Sequence, residues 1–413
     1  MNFKIFLACL TLVFTAFEGN IIAQTVDFQQ ANKKARKYAG KRGNHGLIVG
    51  LIQNGKTSFL SFGKMGKKSI LSPDENTLFE IGSVSSVFTT TLMKLKSMEQ
   101  LFQMEDHIQD YFRDGIEVPK YHHLLCQEVV DFNRPISSED LDEYSFVSCR
   151  KDPLQPDACI TFCHLASHSS GLKNNPKGLY SWNPIRYAKQ KKDPYVSFSK
   201  EDLYKSMIKM ELTNPPGKVF RFSNWGIAVL GNLIADMANT HFETLLEEKV
   251  LHPLELKNTA VSLSKTQTKK LAQGHDRKGK IVNHWHYESM APAIGLKSSA
   301  QDLIRFLDAN LNPPHADLEN AFAHIHQPIL DIHERKLDRL VHMGYGWFTS
   351  LLSTESNLPI QWISGGTGGF RSFIGFSKDK NFGVVILSNS ANSVDEIGFD
   401  FLEALYLMDA KKL

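Results

Sequence analysis

Apolar residues recur along the chain with changing period, and each change marks an element. Leu47 to Ile52 and Thr57 to Phe62 are short runs rich in apolar and β-branched residues on either side of Asn54-Gly55. That dipeptide tolerates the positive φ angles of a tight hairpin turn, so the two runs predict antiparallel strands. From Val84 the spacing becomes helical. Val84, Val87, Phe88, Leu92 and Leu95 share one face of a long helix that opens directly after Gly82-Ser83. Helical spacing returns over Glu201 to Met210, Trp225 to Met237 and Ala300 to Leu311, before Arg371 to Phe376 and Phe382 to Ser388 read as strands. Between about residues 120 and 156 the chain is rich in His, Cys, Asp and Pro and has no clear period, which predicts a surface insert. No internal repeat and no linker separates two domains, so residues 24–413 read as one α/β unit with a helical insertion.

The first residues carry a different pattern. Lys4 precedes an apolar run from Ile5 to Phe17, and Ile21-Ile22-Ala23 stands ahead of Gln24. This is the layout of a signal peptide over residues 1–23, and it predicts an exported protein, periplasmic or extracellular. Cys9 follows too few apolar residues to suggest a lipid anchor. No later segment has the roughly 18 uninterrupted apolar residues of a membrane span, so none is expected.

Composition narrows the partners. Hydrophobic residues at 42% and charged residues at 22% describe an ordinary globular protein, and a net charge of +3 gives no reason to expect nucleic acid. Four cysteines follow the leader: Cys126, Cys149, Cys159 and Cys163. In an oxidising compartment at least one disulfide among them is expected, with the pairing open. Cys159, Cys163, His164 and His168 match no common zinc spacing, and neither a metal nor a cofactor is expected.

The candidate chemistry begins at Phe79-Glu80-Ile81-Gly82-Ser83-Val84-Ser85-Ser86. A serine in the first turn of a helix sits beside free backbone N–H groups and the positive end of the helix dipole, a setting that suits a nucleophile and its oxyanion. The same position suits an ordinary N-cap serine. Further segments decide between them: Ile160-Thr161, His168-Ser169-Ser170-Gly171-Leu172, Pro215-Pro216-Gly217, Phe222-Ser223-Asn224, Leu251-His252-Pro253-Leu254 with Asn258-Thr259, Ser298-Ser299-Ala300-Gln301-Asp302-Leu303, and Trp362-Ile363-Ser364-Gly365-Gly366-Thr367-Gly368-Gly369-Phe370.

In this order these segments resemble the family of class C β-lactamases, D-alanyl-D-alanine carboxypeptidases and related serine esterases, along nearly the whole chain. The resemblance implies a β-lactamase/transpeptidase-like fold: a mixed antiparallel sheet built from both chain ends, a helical subdomain inserted between them, and a pocket at the junction. It places Ser83 on the nucleophile of the Ser-x-x-Lys motif, Asn224 on the residue that contacts the substrate amide, and the backbone N–H groups of Ser83 and Gly366 in the oxyanion hole, with Gly365 beside them. The implied ligand is a small molecule or peptide: a cell-wall D-Ala peptide, a β-lactam or an ester.

Three positions depart from the family pattern. Ser86 stands where relatives carry the motif lysine, Phe222 where they carry tyrosine, and Ile363 where they carry Lys or His, an exchange expected to bring an apolar side chain to the pocket wall. A serine hydroxyl needs a neighbouring base near neutral pH, and none of these residues can serve as one. The expectation is a catalytically impaired member that keeps its pocket and binds a ligand there, or a protein partner through the insert. Two alternatives stand beside it: an active hydrolase acting through Ser83 with a base relocated to His284, His286 or Tyr287, and a structural envelope protein that uses the fold as a scaffold. Arg221 and Arg371 can hold a carboxylate but cannot act as bases.

Overall fold

A computed structural model describes residues 26–113, 115–130, 145–180, 184–190, 192–332, 340–353 and 355–410, and in it the two ends of the chain meet in one sheet. The expected signal peptide, residues 1–23, lies outside the described residues. In chain order the elements that build and hold the site are α1 (Val26–Gly40), β1 (Gly46–Gln53), β2 (Lys56–Gly63), β3 (Leu78–Glu80), α2 (Ser85–Met98), β4 (Leu124–Val130), β5 (Ser145–Lys151), α3 (Lys200–Lys205), α4 (Asn224–Met237), β6 (Lys297–Ser299), α5 (Ala300–Leu311), β7 (Leu330–Ile332), β8 (Val341–Met343), β9 (Phe348–Leu351), β10 (Pro359–Gly366), β11 (Arg371–Ser377), β12 (Phe382–Ser388) and α6 (Asp395–Ala410).

The main sheet is antiparallel and runs β2-β1-β12-β11-β10-β9-β8-β7, so the N-terminal hairpin docks on the last strand of the chain. Successive side chains of a strand point to opposite faces, and here both faces are covered. From β1, Leu47, Val49 and Leu51 join Phe28 of α1 and Phe401 and Leu405 of α6 in one core. Ile48 and Ile52 enter the larger core on the other face, with Phe88 of α2, Trp225 of α4 and Phe306 of α5. This two-sided burial explains why β1 and β12 read as continuous apolar runs. The predicted hairpin turn is present, with φ of +49° at Asn54 and +74° at Gly55.

Two sequence expectations need correction. The helix expected over Glu201 to Met210 covers only α3: Ser199 caps it through the Asp202 amide, the helix stops at Lys205, and Lys209 takes a left-handed φ of +60°. The segment near 120–156 has regular structure after all, because β4 and β5 pair as a separate two-stranded ribbon. Leu124 and Leu125 of β4 are both exposed. Leu124, Leu125 and Cys126 are consecutive and all exposed, so this stretch of β4 carries no alternation to read. Residues 131–144 lie outside the described residues.

Cys126 is disulfide-bonded, and the ribbon register sets Cys149 directly opposite it, whereas Cys159 and Cys163 are free thiols. Among the described residues no group of three or more His, Cys, Asp or Glu side chains is placed to hold a metal ion. No helix among them is long and apolar enough to cross a membrane. Non-reducing peptide mapping of exported protein is expected to return one cross-linked pair containing Cys126 and Cys149, with Cys159 and Cys163 alkylated. A Cys126 peptide linked to either of the other two would contradict the register.

Candidate active site

Ser83 sits in a single turn of 3₁₀ helix, Gly82–Val84, between β3 and α2. The turn lies against the end of β10. Gly82 has a φ of +53°, and a Cβ there would meet the Gly366 amide nitrogen, with the Gly366 carbonyl oxygen at 2.8 Å. A side chain on Gly365 would likewise run into the Ile81 carbonyl and come within 3.0 Å of the Ser83 nitrogen. Gly82 and Gly365 therefore let the serine turn and the strand approach to backbone contact, which brings Ser83 N and Gly366 N into one seam. The seam is tied by the Ser372 hydroxyl, which donates to the Ile81 carbonyl at 2.7 Å.

The pairing of β9 with β10 ends at Trp362, so the last residues of β10 have β11 on one side and the serine turn on the other. Here a cavity of about 510 Å³ opens, lined by Ser83, Ser364, Gly365, Gly366 and Arg371 and walled by Phe220, Phe222, Phe348 and Trp362. A larger cavity of about 660 Å³ lies around Leu233 and Met237 towards the far end of α4, roughly 14–20 Å along the helix from Asn224 at about 1.5 Å per residue, and shares no residue with it.

Asn224 reaches Ser83 because two loops clasp one another. Backbone N–H groups of Gly217 and Arg221 donate to the carbonyls of Ser169 and His168, and the Ser223 hydroxyl donates to the Lys173 carbonyl while accepting from Gly226 N at the start of α4. Asn174 then accepts from both the amide nitrogen and Nδ2 of Asn224, at 3.2 and 2.9 Å. That leaves Asn224 Oδ1 for the Ser83 hydroxyl, which donates to it at 3.3 Å. Asn174 was not singled out in the sequence; Asx residues are common in loops, and only the clasp gives this one its role.

The three departing positions are each internally satisfied. The Ser86 hydroxyl turns back along its helix and donates to the Ser83 carbonyl at 2.7 Å. Phe222 lies on the ring of His168, with centroids 4.4 Å apart. Ile363 is fully buried in the main core, which corrects the expectation that it lines the pocket wall. The cause is the two-residue period of β10: Trp362 and Ser364 face the cavity, and the residue between them faces inward.

His168 is completely buried. Its Nδ1 accepts from the Ser223 amide at 3.1 Å, which places the ring proton on Nε2, and burial pushes its pKa down to about 4. His284, His286 and Tyr287 do not line the Ser83 cavity. His284 Nδ1 and the Tyr287 hydroxyl bond the buried Glu80 carboxylate, and His286 Nδ1 bonds Asp193. Arg221 bonds the Gly171 carbonyl at 3.5 Å. On the cavity wall, Arg371 Nη1 donates to the carbonyls of Thr367 and Phe370 at 2.8 and 2.7 Å, and burial lowers the pKa of its guanidinium.

Comparison with known proteins gives the same outline. The family described as Beta-lactamase matches residues 31–406. A beta-lactamase of Pseudomonas fluorescens is 27% identical over 369 residues, covering 83% of this chain and 88% of the relative. Among solved structures, a beta-lactamase/D-alanine carboxypeptidase from Yersinia pestis superposes with a TM-score of 0.67 at 19% identity, over 92% of this chain and 98% of that one. An octameric penicillin-binding protein homologue from Pyrococcus abyssi gives a TM-score of 0.70 at 19% identity, over 93% and 78%. At these identities the structural likeness speaks for the fold.

Two measurements test this geometry. Gly82→Ala adds a strained φ to a backbone clash and is expected to lower stability by about 2–4 kcal/mol in urea unfolding, against about 1 kcal/mol for Gly55→Ala, where the φ is also positive but the space is open. The depressed pKa of His168 gives a pH dependence as well. The unfolded chain takes up this proton near pH 6.5 and the folded chain only near pH 4, so stability falls as pH drops through that window, by about 3 kcal/mol at most. His168→Asn keeps an acceptor for Ser223 and tolerates the φ of +53°, and it should flatten the fall. An unchanged slope would remove His168 as its source.

Proposed function

The chain belongs to the beta-lactamase family and has its serine-hydrolase fold, and from that premise we propose that it is an exported member in which hydrolysis is disabled while the pocket remains a binding site for a peptide or β-lactam-like ligand. One observation carries this reading. Among the described residues, the hydrogen-bond partner of the Ser83 hydroxyl is the Asn224 amide oxygen, and no Lys, His, Tyr or carboxylate bonds to it.

An amide oxygen has no useful proton affinity, so it orients the hydroxyl without activating it. Loss of general-base help costs roughly 10²- to 10⁴-fold, and losses within one proton relay do not add. Ligand recognition needs less. The free edge at the end of β10 offers backbone groups to an extended amide, the N–H groups of Ser83 and Gly366 would hold a carbonyl oxygen, and Asn224 would stand beside the ligand amide. Export rests on the pattern of residues 1–23, and the disulfide at Cys126 is compatible with an oxidising compartment.

Purified protein is expected to give little or no turnover of a chromogenic cephalosporin or of short-chain esters and no Ser83 adduct with a fluorescent penicillin. Ser86→Lys and Phe222→Tyr, made together, should allow Ser83 to be acylated, with thermal melting run alongside because a buried ammonium can destabilise the fold. Wild-type turnover that vanishes in Ser83→Ala would overturn the disabled-enzyme reading. A folded double variant that remains silent would favour a scaffold role.

A further inference from the structure

The net charge of the chain is only +3, but its cations are unevenly placed. Three loops, residues 41–45, 64–71 and 276–281, meet at the end of the main sheet where β1 begins and β2 and β12 end. They gather around a stacked pair of histidines, His45 and His275, with ring centroids 3.7 Å apart. The Lys64 amide donates to the His45 carbonyl, and the Lys67 amide donates to His275 Nε2 at 3.3 Å. A Cβ on Gly43 would come within 2.8 Å of the Arg277 carbonyl oxygen, so the first and third loops touch backbone to backbone. Past β12, the Ser390 hydroxyl accepts from the His45 amide, and Asn392 Nδ2 donates to Asn44 Oδ1 and to the Arg277 carbonyl. The three loops are thus fixed to one another.

Together they carry eight lysine and arginine side chains, all exposed, against a single carboxylate, Asp276. That carboxylate is occupied locally, since its Oδ1 accepts from the amides of Lys278 and Lys280 at 2.9 Å each and holds the turn. Among the described residues no carboxylate oxygen lies within 4.0 Å of a charged nitrogen of the eight. Beside these cations stand large aliphatic side chains. Ile70 and Leu71 are 87% and 64% exposed, and Ile281 is 39% exposed. The loop that bears the first two is closed on itself: the Met65 amide donates to the Leu71 carbonyl at 2.9 Å, and the Ser69 amide to the Gly66 carbonyl at 3.0 Å. Consecutive aliphatic residues held in water by a braced loop mark an interaction surface.

We propose that this end of the sheet docks on an anionic phospholipid surface, with Ile70 and Leu71 entering the headgroup region and the surrounding lysines and arginines meeting lipid phosphates. The cations gain from the negative surface potential and the aliphatic side chains from leaving water. A soluble polyanion would satisfy the first group and offer nothing to the second, which is why the combination favours a bilayer. The same end of the sheet carries the seam between β10 and the Ser83 turn, because Arg371, opposite Gly366, is also opposite Ser388 at the end of β12. Ser393 and Asp395, next to the Asn392 brace, line the Ser83 cavity. Docking therefore brings that cavity to the lipid surface, whether or not Ser83 reacts.

Vesicle flotation of the full exported chain tests the proposal. Vesicles of equal parts phosphatidylglycerol and phosphatidylcholine should carry the protein, phosphatidylcholine alone should bind at least about tenfold more weakly, and raising salt from about 0.1 M to about 1 M should release it. Lys67→Glu, Lys68→Glu and Lys278→Glu, made together, should weaken binding at least about tenfold, since one basic residue near such a surface contributes about fivefold. Arginine at the same three positions should preserve it. Lys177→Glu, Lys189→Glu and Lys192→Glu make the same change of net charge at exposed sites elsewhere, and should leave most of the binding intact. Ile70→Ser with Leu71→Ser should weaken binding several-fold at unchanged charge. Thermal melting accompanies each variant, and glutamine replaces glutamate at the three loop positions if the reversal melts early. Equal flotation with both kinds of vesicle, an equal loss in the two charge-reversed variants, or no effect of Ile70→Ser with Leu71→Ser would overturn the proposal. So would retention on heparin without flotation, which would identify a soluble polyanion as the partner.

Discussion

The site depends on one close approach. The turn that carries Ser83 touches the end of β10 backbone to backbone, and it can do so because Gly82 and Gly365 have no side chains. This seam joins the helical part of the chain to the sheet, since the Ser83 turn leads into α2 and β10 sits among the last four strands of the sequence. It also leaves the edge of β10 beyond Trp362 open to the cavity, because β9 pairs no further. Any residue other than glycine at these points would push the two backbones apart and separate Ser83 from the strand edge.

Around that seam the three positions that depart from the family pattern hold side chains whose contacts are made elsewhere. Removing one member of a buried charged network ordinarily leaves the others uncompensated at a cost of several kcal/mol. Here Ser86 is satisfied by its own helix, Phe222 by the face of His168, and Ile363 by the main core. His168 itself is neutral and buried, and it accepts from the backbone next to Asn224. None of these three side chains bonds to the Ser83 hydroxyl, whose partner among the described residues is Asn224 Oδ1.

Hydrophobic period and motif order together determined much of this protein. The hairpin at Asn54-Gly55, the helix after Gly82-Ser83, the helices over α4 and α5 and the strands β11 and β12 were all readable, because each is covered on at least one face and so carries an apolar pattern. Ser83, Asn224, Gly365 and Gly366 were singled out as a set by the order of motifs that resemble the family, and the structure brings Ser83 to Asn224 and the serine turn to Gly365 and Gly366. Tertiary structure alone decided the rest. At Leu124 to Cys126 β4 is exposed residue after residue, so no alternation there announced the strand. The side on which Ile363 falls depended on the phase of β10 relative to the core. Asn174, Arg371 and the row of Phe220, Phe348 and Trp362 come from separate segments of the chain, and no local pattern relates them; the packing of β7 to β11 around the serine turn is what makes them one site.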